Sequence, residues 1–207
     1  MFDGMALVEN DSSNPIRKAV QVLRQGGVVA FPTETTYGIG CDPRDSRAVR
    51  RIFRLKGRTQ NNALLLVASS LEQAEAVAIF DEINMDVAKR YWPGPLTLIL
   101  PARREADLAR GATVAGTVAI RVSSSEIVRR LTHAFGFPIV ATSANLSGQE
   151  EARSADKVRE LFGERIDVII DGGLLPKRGL STVAKISTDG KVEIIRKGAV
   201  RLPKFLA

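Results

Sequence analysis

Short apolar runs of strand length alternate with capped, 3.6-periodic stretches along nearly the whole chain, and this alternation confines the fold to helices packed on a sheet. Asn14 followed by Pro15 reads as an N-cap and first helical position, after which Ile16, Ala19, Val20 and Leu23 recur at helical spacing until Gly26-Gly27. Val28-Val29-Ala30-Phe31 is a short buried strand, ended by Pro32 because proline cannot donate to a ladder. A polar loop, Thr33 to Gly40, follows. Ser46 caps a second helix to about Lys56, with Val49, Ile52 and Phe53 on one face and Arg47, Arg50, Arg51 and Arg54 on the other. Further along, the pattern predicts a strand at Leu64 to Val67, a capping-box helix opening Ser70-x-x-Gln73, and a helix from Asp81 to Tyr91 broken by Trp92-Pro93-Gly94-Pro95. Strands are expected at Leu96 to Leu100 and Val114 to Val122, then a helix opened by Ser123-x-x-Glu126 and running to Phe135. Ser154 caps a helix to Leu161, Val168 to Ile170 is a strand, and Asp189-Gly190 turns an antiparallel hairpin. The expected architecture is α/β, a single domain with a strongly twisted mixed β-sheet flanked by helices, over residues 14–198. Residues 1–13 and 199–207 are expected as loosely held terminal extensions.

The chain's 207 residues, 44% of them hydrophobic, suffice for one sizeable core. Its net charge of +7 fits an anionic substrate or a nucleic-acid partner and is diagnostic of neither. Cys41 is the only cysteine, which rules out an intramolecular disulfide and a Cys-x-x-Cys motif and suits a reducing, cytoplasmic setting. No apolar run approaches the roughly 20 residues that span a bilayer, so no membrane association is expected.

Chemistry concentrates where the strand Ile139-Val140-Ala141 empties into Thr142-Ser143-Ala144-Asn145-Leu146-Ser147-Gly148. Hydroxyl, amide and backbone groups at a strand end suit an oxygen-rich ligand such as a phosphate, and equally make an ordinary turn. There is no Walker-type glycine-lysine run, and Gly38-x-Gly40 lacks the third glycine of a dinucleotide fingerprint. His133 is the sole histidine, so a histidine triad or multi-histidine metal site has no members to draw on. Lys56-Gly57-Arg58 can aim a point charge and a planar fork at one phosphate or carboxylate, or can simply end a helix with basic residues. Lys56 falls on the apolar side of its helix, either snorkelling outward or pointing inward at a fixed anion. Arg121 and Arg196 also emerge from apolar runs. A cationic cleft with hydroxyls and no evident nucleophile suits positioning and charge stabilisation at phosphorus.

Taken in order, Phe31-Pro32-Thr33-Glu34-Thr35-Thr36-Tyr37-Gly38-Ile39-Gly40, Leu55-Lys56-Gly57-Arg58, Trp92-Pro93-Gly94-Pro95-Leu96-Thr97, Ala119-Ile120-Arg121-Val122 and Thr142 to Gly148 resemble the YrdC/TsaC family, the threonylcarbamoyl-AMP synthases. The resemblance covers about residues 15 to 198. It implies a YrdC-like fold and a nucleotidyltransferase that joins L-threonine, bicarbonate and ATP, with Mg²⁺, into L-threonylcarbamoyl-AMP and pyrophosphate for tRNA modification. It further implies that Lys56, Arg58, Ser143 and Asn145 hold the triphosphate and reacting centre, and that Thr35, Arg121 and Ser181 bind threonine, Arg121 through its carboxylate. Arg196, Asn62 and Thr117 are implied on the nucleotide side, and tRNA or tRNA-modification proteins as partners. No protein ligand to a metal is implied. Two departures stand out: Val67 occupies a place where some members carry a histidine near the threonine pocket, and the chain has no extra carboxy-terminal domain of the longer branch after Arg196. The rival readings are a non-enzymatic RNA-binding protein, suggested by the arginine face, and a related carbamoyl transferase. Against RNA binding alone, aromatic residues make up only 5% of the chain and none forms a stacking platform beside that face.

Overall fold

The computed structural model describes residues 14–57, 63–177 and 179–206. Helix α1 (Pro15–Arg24) starts where expected, with the Asn14 side chain accepting from the Ile16 amide at 3.0 Å, and buries Ile16, Ala19, Val20 and Leu23. Strand β1 (Val29–Pro32) and strand β2 (Tyr37–Gly40) pair antiparallel, Val29 opposite Gly40. The polar loop expected from Thr33 to Gly40 is therefore only half loop. Its second half is a buried strand, because Tyr37 and Ile39 carry the core contacts that the intervening glycines leave room for.

Helix α2 (Ser46–Lys56) is capped by Asp45, not by Ser46. The Asp45 carboxylate accepts from the amides of Arg47 and Ala48 at 2.7 and 3.2 Å, which satisfies two orphan donors and leaves Ser46 as the first helical residue. Gly57 closes the helix at φ 61°, the left-handed conformation that a glycine adopts without a Cβ penalty. Strand β3 (Leu65–Ala68), short helix α3 (Leu71–Glu75) and helix α4 (Glu82–Tyr91) follow. The Trp92 indole donates to Leu96 O at 2.6 Å across the turn into β4 (Leu96–Pro101).

Strand β5 (Thr117–Val122) is shorter than the expected Val114 start. Val114 and Thr117 bond each other's backbone around Ala115 and Gly116, both at positive φ, so the chain doubles back before the strand begins. Helix α5 (Glu126–Phe135) has Ser125 at its N-cap position and no side-chain cap. Ser123, expected to cap it, commits its hydroxyl elsewhere, as described below. Strands β6 (Ile139–Val140) and β7 (Thr142–Ser143), helix α6 (Ala155–Phe162), strand β8 (Val168–Ile169) and the antiparallel hairpin of β9 (Thr182–Ile186) and β10 (Val192–Arg196) complete the order.

These strands divide between two mixed sheets, one ordered β7-β2-β1-β8 and the other β10-β9-β4-β5-β3-β6. In the larger sheet β3 runs parallel to β5 and β4 parallel to β9, while β4 and β5 are antiparallel. Helices α1 and α5 bury Leu23, Val128, Leu131 and Phe135 against Val29, Phe31, Val67 and Ile139, and a larger core fills the space around β2, α2 and the second sheet. The shortest crossing between the sheets is at β6, in the larger, and β7, in the smaller, which Ala141 alone separates. Gly40 permits the approach, since a Cβ there would lie 1.9 Å from Val140 O. Residues 199–206, expected to be loose, are pinned. The Thr182 hydroxyl donates to Val200 O at 2.7 Å, Val192 N to Lys204 O at 2.9 Å and Leu206 N to Gly190 O at 2.9 Å, and Val200, Leu202 and Leu206 pack on the core.

Candidate active site

A cavity of about 440 Å³ opens at the seam between the sheets. Its walls include Thr33, Thr35 and Thr36 from the β1–β2 connection, Arg121 from β5, Ser143 at the end of β7 and Asn145 beyond it, Ser181 just before β9, and Arg196 at the end of β10. A larger groove of about 640 Å³ between α1 and α5 is lined by Ile16, Val20 and Ala134 among basic and amide side chains and contains none of the sequence candidates. Polar groups converging in the smaller cavity make it the candidate site.

The threonine loop is held by one hydroxyl. Thr33 Oγ1 donates to Thr36 O at 2.7 Å and accepts from the amides of Thr35 and Thr36 at 3.1 and 3.2 Å, closing the turn locally. Thr35 Oγ1 lies 3.0 Å from the same hydroxyl. The loop thus reaches the cavity in one fixed shape.

Arg121 is buried, and its Nη1 donates to Glu34 Oε1. Ser123 Oγ donates to Glu34 Oε2 at 2.5 Å and accepts from Ser125 N, which is why it does not cap α5. Burial pulls the Arg121 guanidinium below the usual arginine range, and the Glu34 charge works against that shift. Glu34 was missed as a site residue. Its signal was present in the sequence, since an acid flanked by Thr33 and Thr35 before a strand has to find a donor somewhere. Val67 lies in register with Arg121 in the neighbouring strand, fully buried among apolar side chains.

Lys56 points inward, as one of its two sequence readings had it, and meets the neutral oxygens of Ser143 and Asn145. Its ammonium donates to Ser143 O at 2.5 Å and to Asn145 Oδ1, with Ser143 Oγ at 3.4 Å. Ser143 Oγ also donates to Asn145 Oδ1 at 2.7 Å, Asn145 Nδ2 to Gln149 O at 2.7 Å, and Ser147 N to Lys56 O at 3.2 Å. The end of α2 therefore shapes the turn after β7, and Ser143 and Asn145 line the cavity while Lys56 sits behind them.

Arg196 and Ser181, assigned from the sequence to different ligands, bond each other. Arg196 Nη2 donates to Ser181 Oγ at 2.8 Å and to Ser181 O at 2.9 Å. Buried Thr97, 3.2 Å from Ser181 Oγ, joins this group and was another residue that the sequence reading passed over. Thr117 is not brought in. It starts β5, four residues from Arg121, and its hydroxyl closes the local turn on Val114 O at 2.8 Å. Arg58 and Asn62 lie outside the described residues. On the arginine face of α2, Arg51 is committed to Asp167 at 2.7 Å and to Arg165 O. No group of three or more His, Cys, Asp or Glu side chains gathers to hold a metal among the described residues, and none of the described helices is long and apolar enough to cross a membrane.

Fold and cavity together define a mixed α/β protein with a polar cleft lined by hydroxyl, amide and guanidinium groups. The sequence profile of the Sua5/YciO/YrdC family, described as "Telomere recombination", matches residues 21–198, and the chain belongs to that family. It is 40% identical over 173 residues to a threonylcarbamoyl-AMP synthase of Thiobacillus denitrificans, covering 82% of this chain and 89% of that one. The synthase of the same name from Pyrococcus abyssi is 42% identical over 194 residues, 92% of this chain and 56% of the relative, so this chain spans little more than half of that protein. A crystal structure of P. abyssi Sua5 complexed with L-threonine superposes with a TM-score of 0.81 at 42% identity, over 88% of this chain and 54% of that one.

Proposed function

We propose that this chain is an L-threonylcarbamoyladenylate synthase, forming threonylcarbamoyl-AMP and pyrophosphate from L-threonine, bicarbonate and ATP. The observation that carries the reading is the meeting, in one cavity, of the Thr33–Thr36 loop and Arg121 on one wall with the Lys56-backed Ser143–Asn145 turn on another. The relatives' names and the threonine complex of P. abyssi Sua5 support it. They lend nothing to the rival readings of a carbamoyl transferase or a purely RNA-binding protein.

In this reading threonine lies against Thr35 and Ser181 with its carboxylate on the free donors of Arg121. Its amine attacks the carbon of bicarbonate, a C–N bond forms and water leaves, giving the carbamate. A carbamate oxygen then attacks the α-phosphorus of ATP and the bond to pyrophosphate breaks. Negative charge crowds the centre at each stage, so prealigned donors and cations are what the chain must supply. Ser143 and Asn145 take the nucleotide side with Arg58, Asn62 and Arg196, and Lys56 acts by holding their turn. Mg²⁺ arrives on the ATP as part of that substrate. Glu151 is the one carboxylate among the described lining residues, so the chain's own side chains do not form a cage for an ion and no step is routed through it. The product serves tRNA modification in the cytoplasm, with tRNA or modification proteins downstream.

Pyrophosphate release from ATP by the purified chain, with and without threonine and bicarbonate, tests the reading. Release dependent on both is expected, and release no greater than the threonine-free control would sink it.

A further inference from the structure

We propose that Glu34 is the specificity-determining residue that makes the Arg121 corner accept a zwitterionic amino acid and refuse a simple carboxylate. The inference rests on the reading just given, in which threonine's carboxylate meets Arg121. Arg121 lines the cavity and Glu34 does not; the Glu34 side chain, only 9% exposed, sits behind the guanidinium. One of its oxygens takes Arg121 Nη1 and the other takes the Ser123 hydroxyl. A guanidinium has five N–H donors in a rigid fork. Among the described residues Nε and Nη2 have no acceptor, so a ligand carboxylate meets those donors in an orientation that Glu34 has already set.

Charge decides what that carboxylate can belong to. Arg121 and Glu34 together are neutral, and both are removed from water. A bare carboxylate would add an uncompensated negative charge to this desolvated corner, whereas an α-amino acid brings its own ammonium and adds none. Replacing Glu34 by glutamine keeps the shape and the acceptor for Ser123 but leaves Arg121 uncompensated, which reverses the balance: the anion becomes the neutralising ligand and the zwitterion leaves a net cation. Arg196 and Glu151, the other charged residues among the described lining, are the same in every variant, so their effects cancel when the threonine-to-hydroxybutyrate affinity ratio of a variant is divided by that of the wild type.

The test is calorimetric binding of L-threonine and of 3-hydroxybutyrate, its counterpart without the amino group, to the wild-type chain, Glu34→Gln and Glu34→Asp. The wild type is expected to prefer threonine by at least about tenfold, with Glu34→Gln lowering that ratio by a further factor of about ten or more and Glu34→Asp, which keeps the charge, retaining most of it. Wild-type affinities alike for the two ligands overturn the proposal without requiring any variant to fold. So does a Glu34→Gln chain that weakens both ligands equally, the outcome of a merely structural role. A wild type that binds neither threonine nor 3-hydroxybutyrate and releases no threonine-dependent pyrophosphate overturns the functional reading itself, and the two failures are thereby told apart.

Discussion

Lys56 is 1% exposed, and its ammonium donates to Ser143 O and Asn145 Oδ1, behind the cavity lining. If Lys56 acts by shaping this turn, as proposed above, two measurable consequences are expected. An amine-reactive reagent followed by mass spectrometry is expected to label Lys56 far more slowly than Lys157 or Lys191, with the same slow rate when ATP is added. Protection by ATP of a lysine that labels readily would instead place Lys56 on the ligand. Lys56→Met and Asn145→Ala should each reduce ATP affinity, with the double variant little worse than either single one, because they act on one unit. Ser143, which lines the cavity directly, is expected to behave as a lost donor: Ser143→Ala should lower kcat/KM by about 100-fold with the melting temperature nearly unchanged. Full activity in that variant would remove Ser143 from the site.

At the scale of elements, Asp167 ties three of them together. It precedes β8, its Oδ2 accepts from Val28 N at 2.7 Å just before β1, and Arg51 of α2 grips both oxygens at 2.7 and 3.1 Å. Partial burial pushes this carboxyl up, but the Arg51 hydrogen bonds, the Val28 amide and the Arg51 charge outweigh it and hold Asp167 below the usual carboxylate range. A depressed folded pKa stabilises the fold at pH values above the unfolded carboxylate's, and that contribution fades as pH falls through the folded value. Asp167→Asn should therefore melt below the wild type at pH 7, with the gap narrowing steadily in melts taken toward pH 3. A gap independent of pH would show that the ion pair is not its source. Helix positions, the carboxy-terminal hairpin and the apolar strand runs were legible in the sequence because each rests on local spacing and turn chemistry. The caps at Asp45 and Ser125 were not: neighbouring Ser, Asp and Thr side chains compete for the same amides, and Ser123 was decided by Glu34, 89 positions away.

At the scale of the molecule, the division into two sheets was the part that sequence could not supply, since strand partners depend on contacts that periodicity does not encode. The same holds for Lys56 and Asn145, whose meeting the motifs suggested but whose hydrogen-bond geometry they could not supply. The carboxy-terminal residues belong to this scale too. Val200 accepts from and donates to the Thr182 hydroxyl, next to Ser181 and its Arg196 clamp. Deleting residues 200–207 is expected to lower the melting temperature by roughly 2–8 °C, a loss on the order of 1–2 kcal/mol for a domain of this size, and to raise the threonine KM more than the ATP KM. Unchanged stability would show those contacts to be incidental.

The passage of the chain from one sheet to the other through Ala141 alone also bears on how such a sequence can diverge. A residue inserted between Val140 and Thr142 would turn every following side chain to the opposite face and carry Ser143 and Asn145 off the cavity. At this one-residue crossing a substitution keeps the register that an insertion would lose.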